Sequence, residues 1–172
     1  MPGSGKIGAV LTITLDTNTL PVEKALAGLG NLEVDVATTT VTTREIEGTT
    51  LAGGIKNLKI IRETGVWGES RWGEAVYSDK SDGVRYEELL TFLSSGSFPK
   101  PGQRDSLSAG QERIKRDAMI LSAHARERRE IFVSDDVKAI GQAGSDRRRQ
   151  LEERFGIRAM TVAEFRAFAT VR

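Results

Sequence analysis

Residues 7–15, IGAVLTITL, are rich in β-branched side chains and almost continuously apolar, and they stop abruptly at Asp16-Thr17-Asn18. An apolar run of this length is the pattern of a central strand buried on both faces. Just downstream, LPVEKALAGLG (20–30) puts Pro21 in a first helical turn and Gly28 or Gly30 at its stop. NLEVDVA (31–37) reads as a second strand. The Thr-rich stretch 38–43 then runs into REIEG, with Thr42 or Thr43 as the cap of a short helix. Towards the other end, residues 106–129 carry the longest helical pattern. Ile114, Ala118, Leu121 and Ala125 fall on one stripe there, with Ser106 or Ser108 as cap. EIFVS (130–134) is a short buried strand closed by Asp135-Asp136. SDRRRQLEERFG (145–156) is a helix capped by Ser145 or Asp146 and stopped by Gly156. IRAMTV (157–162) is a last strand before a terminal helix over AEFRAFA. Strands separated by helices predict an α/β fold, a three-layer α/β/α sandwich around a mainly parallel sheet.

The middle is less marked. Residues 55–62 (IKNLKIIR) fit a helix or a strand, and 63–83 fit a hairpin or an ordered loop. VRYEELLTFLSS (84–95) is a helix, and SFPKPGQ (97–103) is a loop by its prolines. The expectation is a single domain over 1–172 with an elaborated middle at 48–104.

Composition narrows the chemistry. The 172 residues are 38 % hydrophobic and 28 % charged, an ordinary globular balance. A chain of about this size buries roughly 70 % of its unfolded surface, so a core forms without staples. There is no cysteine, which excludes disulfides, zinc ribbons and thiol catalysis. The one histidine, His124, excludes metal sites built from several histidines. The 25 Lys and Arg against 24 Asp and Glu leave a net charge of +1, which excludes a strongly basic coat but not local patches. No apolar run approaches the ~20 residues of a membrane span, and no signal peptide is evident. The expectation is a cytoplasmic protein with no membrane partner.

Active sites of open α/β sheets lie at the carboxyl ends of the strands. Asp16 ends the first strand, and Asp135 and Asp136 follow 130–134. Glu45 follows the second strand, and Asp117 sits at the edge of the apolar stripe of the long helix. Glu47 competes with Glu45, but the two point about 200° apart on a helix, so only one faces a cleft. Carboxylates sharing a cleft repel unless a cation neutralises them or their pKa values rise. Hard oxygen ligands favour Mg²⁺ or Mn²⁺, which activate water and stabilise phosphodiester oxygens.

LDTNTL (15–20), Glu45 in TTREIEG, RDAMILSAHA (116–125) and FVSDD (132–136) together resemble the PIN-domain nucleases, in the same order along the chain. FGIRAMTVAEF (155–165) is similar to that family's last strand and helix. The likeness covers both ends of the chain and little of 48–104. It implies a Mg²⁺- or Mn²⁺-dependent ribonuclease with Asp16, Glu45, Asp117 and Asp136 as metal ligands and catalytic acids. It further implies that Asn18 orients Asp16, that Ser134 fills the family's Thr position, and that Asp135 is an alternative fourth acid. RNA is the implied substrate. Many family members are toxins held by a cognate antitoxin, and many are homodimers.

Other readings stand beside this one. A non-catalytic PIN-like module would bind RNA or serve in assembly. LDTNT and FVSDD also resemble haloacid-dehalogenase-type phosphatases, but Asn18 occupies the acid/base position there and cannot transfer a proton. His124 is read as a structural or surface residue, or as a phosphate contact or an acid. Arg147-Arg148-Arg149 is a solvated helix face or a grip on an RNA backbone. Trp67 and Trp72, with Arg71, either anchor the middle segment, form a dimer contact or stack bases.

Overall fold

The computed structural model describes residues 10–66 and 68–171. Residues 7–9 of the expected first strand, and Trp67, lie outside the described residues. Strands are β1 (Leu11–Leu15), β2 (Val34–Thr39), β3 (Lys59–Ile61), β4 (Glu63–Thr64), β5 (Ala75–Val76), β6 (Ile131–Val133) and β7 (Ala159–Met160). Helices are α1 (Val22–Leu26), α2 (Thr40–Glu45), α3 (Lys80–Leu93), α4 (Ala109–Arg126), α5 (Val137–Ile140), α6 (Asp146–Phe155) and α7 (Val162–Thr170). Five strands form one parallel sheet in the order β3-β2-β1-β6-β7. This is a mixed α/β fold with a parallel central sheet flanked by helices.

Strand periodicity divides the core in two. Leu11, Ile13, Leu15, Ile131 and Val133 point to one face, where they pack with α1 and α7 residues such as Ala25 and Phe165. Phe132 and Ala159 point to the other, against Leu89 and Leu90 of α3, Leu121 of α4 and Leu151 of α6. Thr14 faces that second layer and meets His124 Nδ1 at 2.8 Å. His124 is fully buried, edge-on to Phe132, and burial drives its pKa down to about 3. It is a neutral core residue.

Local chemistry sets the helix ends. Ser108 and Gln111 form a capping box at the start of α4, and Thr161 with Glu164 forms another on α7. Gly141 separates α5 from α6 with φ +86°. A Cβ there would lie 2.6 Å from Ser145 Oγ, the cap of α6, so only glycine fits.

Several expectations shift. The second strand extends through Thr38 and Thr39, so Thr39 caps α2 in place of Thr42 or Thr43. Buried Thr38 donates its hydroxyl to Leu15 O at 3.0 Å, which satisfies it inside the sheet. Residues 59–61 are strand, after a 3₁₀ turn over Thr50–Ile55. The segment 63–83 is neither a hairpin nor only a loop: β4 and β5 pair in parallel, held to α2 by Arg44, which bridges Glu63 (2.6 Å) and Glu74 (3.0 Å). Helix α3 begins four residues before the expected start, because Asp79 caps it through the Asp82 N–H. Among the described residues no helix is long and apolar enough to cross a membrane.

Candidate functional site

The sheet order reverses at β1, which lies between β2 and β6, and the crevice at the carboxyl ends of β1 and β6 is the usual ligand position of such a sheet. Asp16 sits there, 9 % exposed. Its Oδ1 accepts the Thr17 N–H at 2.8 Å. Its Oδ2 accepts the Ser134 hydroxyl at 2.6 Å and the Asn18 amide at 2.9 Å. Burial raises its pKa. The hydrogen bonds from Ser134 and Thr17 oppose the rise, and the charges of Glu45 and Asp136 add to it.

Asp117 projects from α4 into the same region. Burial pushes its pKa up to about 7, helped by Asp16 and Asp136 and opposed by Arg113. Arg113 stands four residues earlier, on the same helical face, and its Nη2 donates to Asp136 Oδ2 at 2.6 Å. The other oxygen of Asp136 caps α5, accepting from Lys138 N at 3.0 Å and Ala139 N at 3.3 Å. Glu45, at the end of α2, accepts the Thr17 hydroxyl. Glu47 points elsewhere and pairs with Arg71 at 2.7 Å.

Of the two adjacent aspartates, Asp136 faces Asp16 and Asp117. Asp135 turns the opposite way: it accepts the Val162 N–H at 3.0 Å and pairs with Lys24 at 2.8 Å. Asn18 ties the two strand ends together, since its side-chain oxygen accepts the Asp135 N–H at 2.9 Å.

The structure therefore brings Asp16, Glu45, Asp117 and Asp136 within electrostatic reach of one another, but not as a ligand set. Among the described residues no group of three or more His, Cys, Asp or Glu side chains is arranged to hold a metal ion. This overturns the expectation of Mg²⁺ or Mn²⁺ on Asp16, Glu45, Asp117 and Asp136, and with it the metal-dependent ribonuclease and the ribonuclease toxin. The physical reason lies in the donors. Acids in one cleft need a cation or a proton, and here both come from the protein. Arg113 supplies the cation, Asp117, with its pKa pushed up to about 7, supplies the proton, and Asp16 is held by hydrogen bonds from Thr17, Asn18 and Ser134.

Sequence patterning singles out neither Arg113 nor Thr17. The signal available for Arg113 is its i, i+4 spacing from Asp117; Thr17 carries none. The three arginines of 147–149 do not act as one face. Arg148 pairs with Glu164 at 2.6 Å, and Arg149 with Asp146. Arg147 instead donates to two neutral carbonyls, Ala139 O at 2.9 Å and Leu93 O at 3.2 Å. Burial lowers its pKa, while Asp136 and Asp117 raise it. Trp72 is 98 % exposed, so it does not anchor the middle segment to the core among the described residues.

No family model, curated protein or solved structure matches the chain.

Proposed function

We propose that the chain is a non-catalytic, PIN-like module that binds RNA. One contrast carries the reading. The carboxylates at the strand ends are engaged by the protein's own donors, with Arg113 on Asp136. On α6, by contrast, Arg147 and Arg154 have no carboxylate within ion-pair distance among the described residues; they rest on carbonyls, on Gln150 and on aromatic rings. A cleft of self-satisfied acids neither gathers a metal nor attracts a phosphate, whereas unpaired guanidinium groups attract phosphate. The parallel sheet, with acids at its carboxyl edge in the PIN order, supports the PIN-like part.

The test is a mobility shift with mixed single-stranded RNA, run once in EDTA and once in Mg²⁺. The expected result is the same complex in both, with full-length RNA recovered. No complex in either arm, or RNA shortened only with Mg²⁺, overturns the proposal.

A further inference from the structure

Helices α3 and α6 flank a groove distinct from the acidic cleft. It consists of two cavities, of about 370 and 470 Å³, and Arg154 lines both. Each is within the size range of small-molecule pockets. Arg147, Gln150 and Arg154 lie at i, i+3 and i+7 of α6, so one helical stripe faces the groove. From α3, Lys80 and Arg85 line one end and Ser95, just past the helix, lines the other. Among the described residues four cations thus line the groove with one acid, Glu88, and of the four Arg85 is paired with a carboxylate, Asp82 at 2.8 Å.

The groove also carries stacking surfaces. Phe92 of α3 and Phe155 of α6 meet with centroids 5.6 Å apart. Arg147 sits over Phe92 at 5.0 Å, and Arg154 lies over Phe155 at 5.1 Å and Phe92 at 5.6 Å. A guanidinium held over a ring offers its outer face to a base and its N–H groups to phosphate.

Ser95 is a third observation. It has φ 53°, the left-handed conformation that helices ordinarily close with glycine. Gly96 follows it, and its N–H reaches back to Thr91 O at 2.7 Å. The chain thus keeps a hydroxyl at the rim where glycine is the easier residue.

We infer that the α3–α6 groove is the track for single-stranded RNA, with Arg147 and Arg154 gripping phosphates and stacking bases and Lys80 and Arg85 extending the path. This rests on the RNA-binding reading above. A duplex keeps its bases stacked on one another and offers none to these guanidinium faces. At about 1.5 Å per residue the 14 residues of α3 span about 20 Å, room for a short run of nucleotides.

The experiment is fluorescence anisotropy of a labelled oligouridine with the full chain, in EDTA, over rising KCl. Arg154→Glu reverses an exposed side chain whose polar contact is Gln150 at 3.5 Å. Lys80→Glu is a second, exposed variant that keeps the test open if Arg154→Glu does not fold. Lys56→Glu is the control of equal charge change, next to Ile55 in the core on the other face of the sheet. The expected result is roughly tenfold weaker binding for Arg154→Glu and a salt slope shallower by about 0.7, the value for one lost phosphate contact on a single strand. Lys80→Glu shifts binding in the same direction, Lys56→Glu stays within about twofold, and a stable RNA hairpin stem binds more weakly than oligouridine. If wild type binds but Arg154→Glu and Lys80→Glu match Lys56→Glu, the groove is wrong and the RNA reading stands. If the stem binds as well as oligouridine, the single-strand assignment is wrong. If wild type binds no RNA, the RNA reading itself falls.

Discussion

Replacing Asp117 with Asn tests the account of the acidic cleft through stability. Burial and the charges of Asp16 and Asp136 raise the Asp117 pKa from 3.8 to about 7. Between those values the folded chain holds a proton that the unfolded chain has released. Stability of the wild type therefore falls as pH rises from about 4 to about 7 and is level above that. Each tenfold in proton affinity is about 1.36 kcal/mol, so the interval sets a ceiling of about 4 kcal/mol. Residual solvent around this partly buried carboxyl reduces the expected effect to about 2 kcal/mol. The replacement amide has the same shape and never ionises. The Asp117→Asn chain is thus expected to match wild type near pH 4 and to exceed it by about 2 kcal/mol at pH 8. Urea unfolding followed by circular dichroism reads this directly, because an m-value of about 2 kcal/mol/M places the pH 8 midpoint about 1 M higher. A stability difference that stays constant from pH 4 to pH 8 would refute the reasoning, since it would mean that Asp117 titrates alike in the folded and unfolded chains.

Ser134→Ala removes the hydroxyl that donates to Asp16 and accepts from the Asp136 N–H at 3.1 Å. The expected loss is about 2 kcal/mol. It is larger at pH 8 than at pH 4, because Asp16 without that donor holds its proton more firmly, and urea midpoints at the two pH values check it. Ser95→Gly relieves a left-handed residue but adds freedom to the unfolded chain. Thermal unfolding should therefore change by no more than about 1 kcal/mol, while affinity for oligouridine drops; a large loss of stability would show that the serine is kept for folding.

Much of the framework was legible in local pattern. The run through Leu11–Leu15 has one environment available, the middle of a sheet, and Asp16 marks where the strand stops. The start of α4 and both ends of α6 rest on contacts within a few residues, so the sequence narrowed the caps to Ser106 or Ser108 and to Ser145 or Asp146, with Gly156 as the stop, and the structure selects Ser108 and Ser145. The middle was harder because its stabilising contacts are remote. Glu63 is fully buried only because Arg44, 19 residues away, meets it. Thr38 and Thr39 look like a polar boundary until Leu15 O is placed beside Thr38.

By itself the sequence determined the classes of the main elements outside the middle segment and the positions of the acids, because hydrophobic period and capping are properties of neighbours along the chain. Only the tertiary structure decided what those acids do. Ser134 reaches Asp16 across 118 residues, and Arg113 reaches Asp136 across 23. The same four carboxylates with open oxygens would be metal ligands. With these donors in place Asp16, Glu45 and Asp136 are satisfied internally and Asp117 has its pKa raised to about 7, because a charge–charge or hydrogen-bond energy depends on distance and burial in space, which spacing along the chain does not contain.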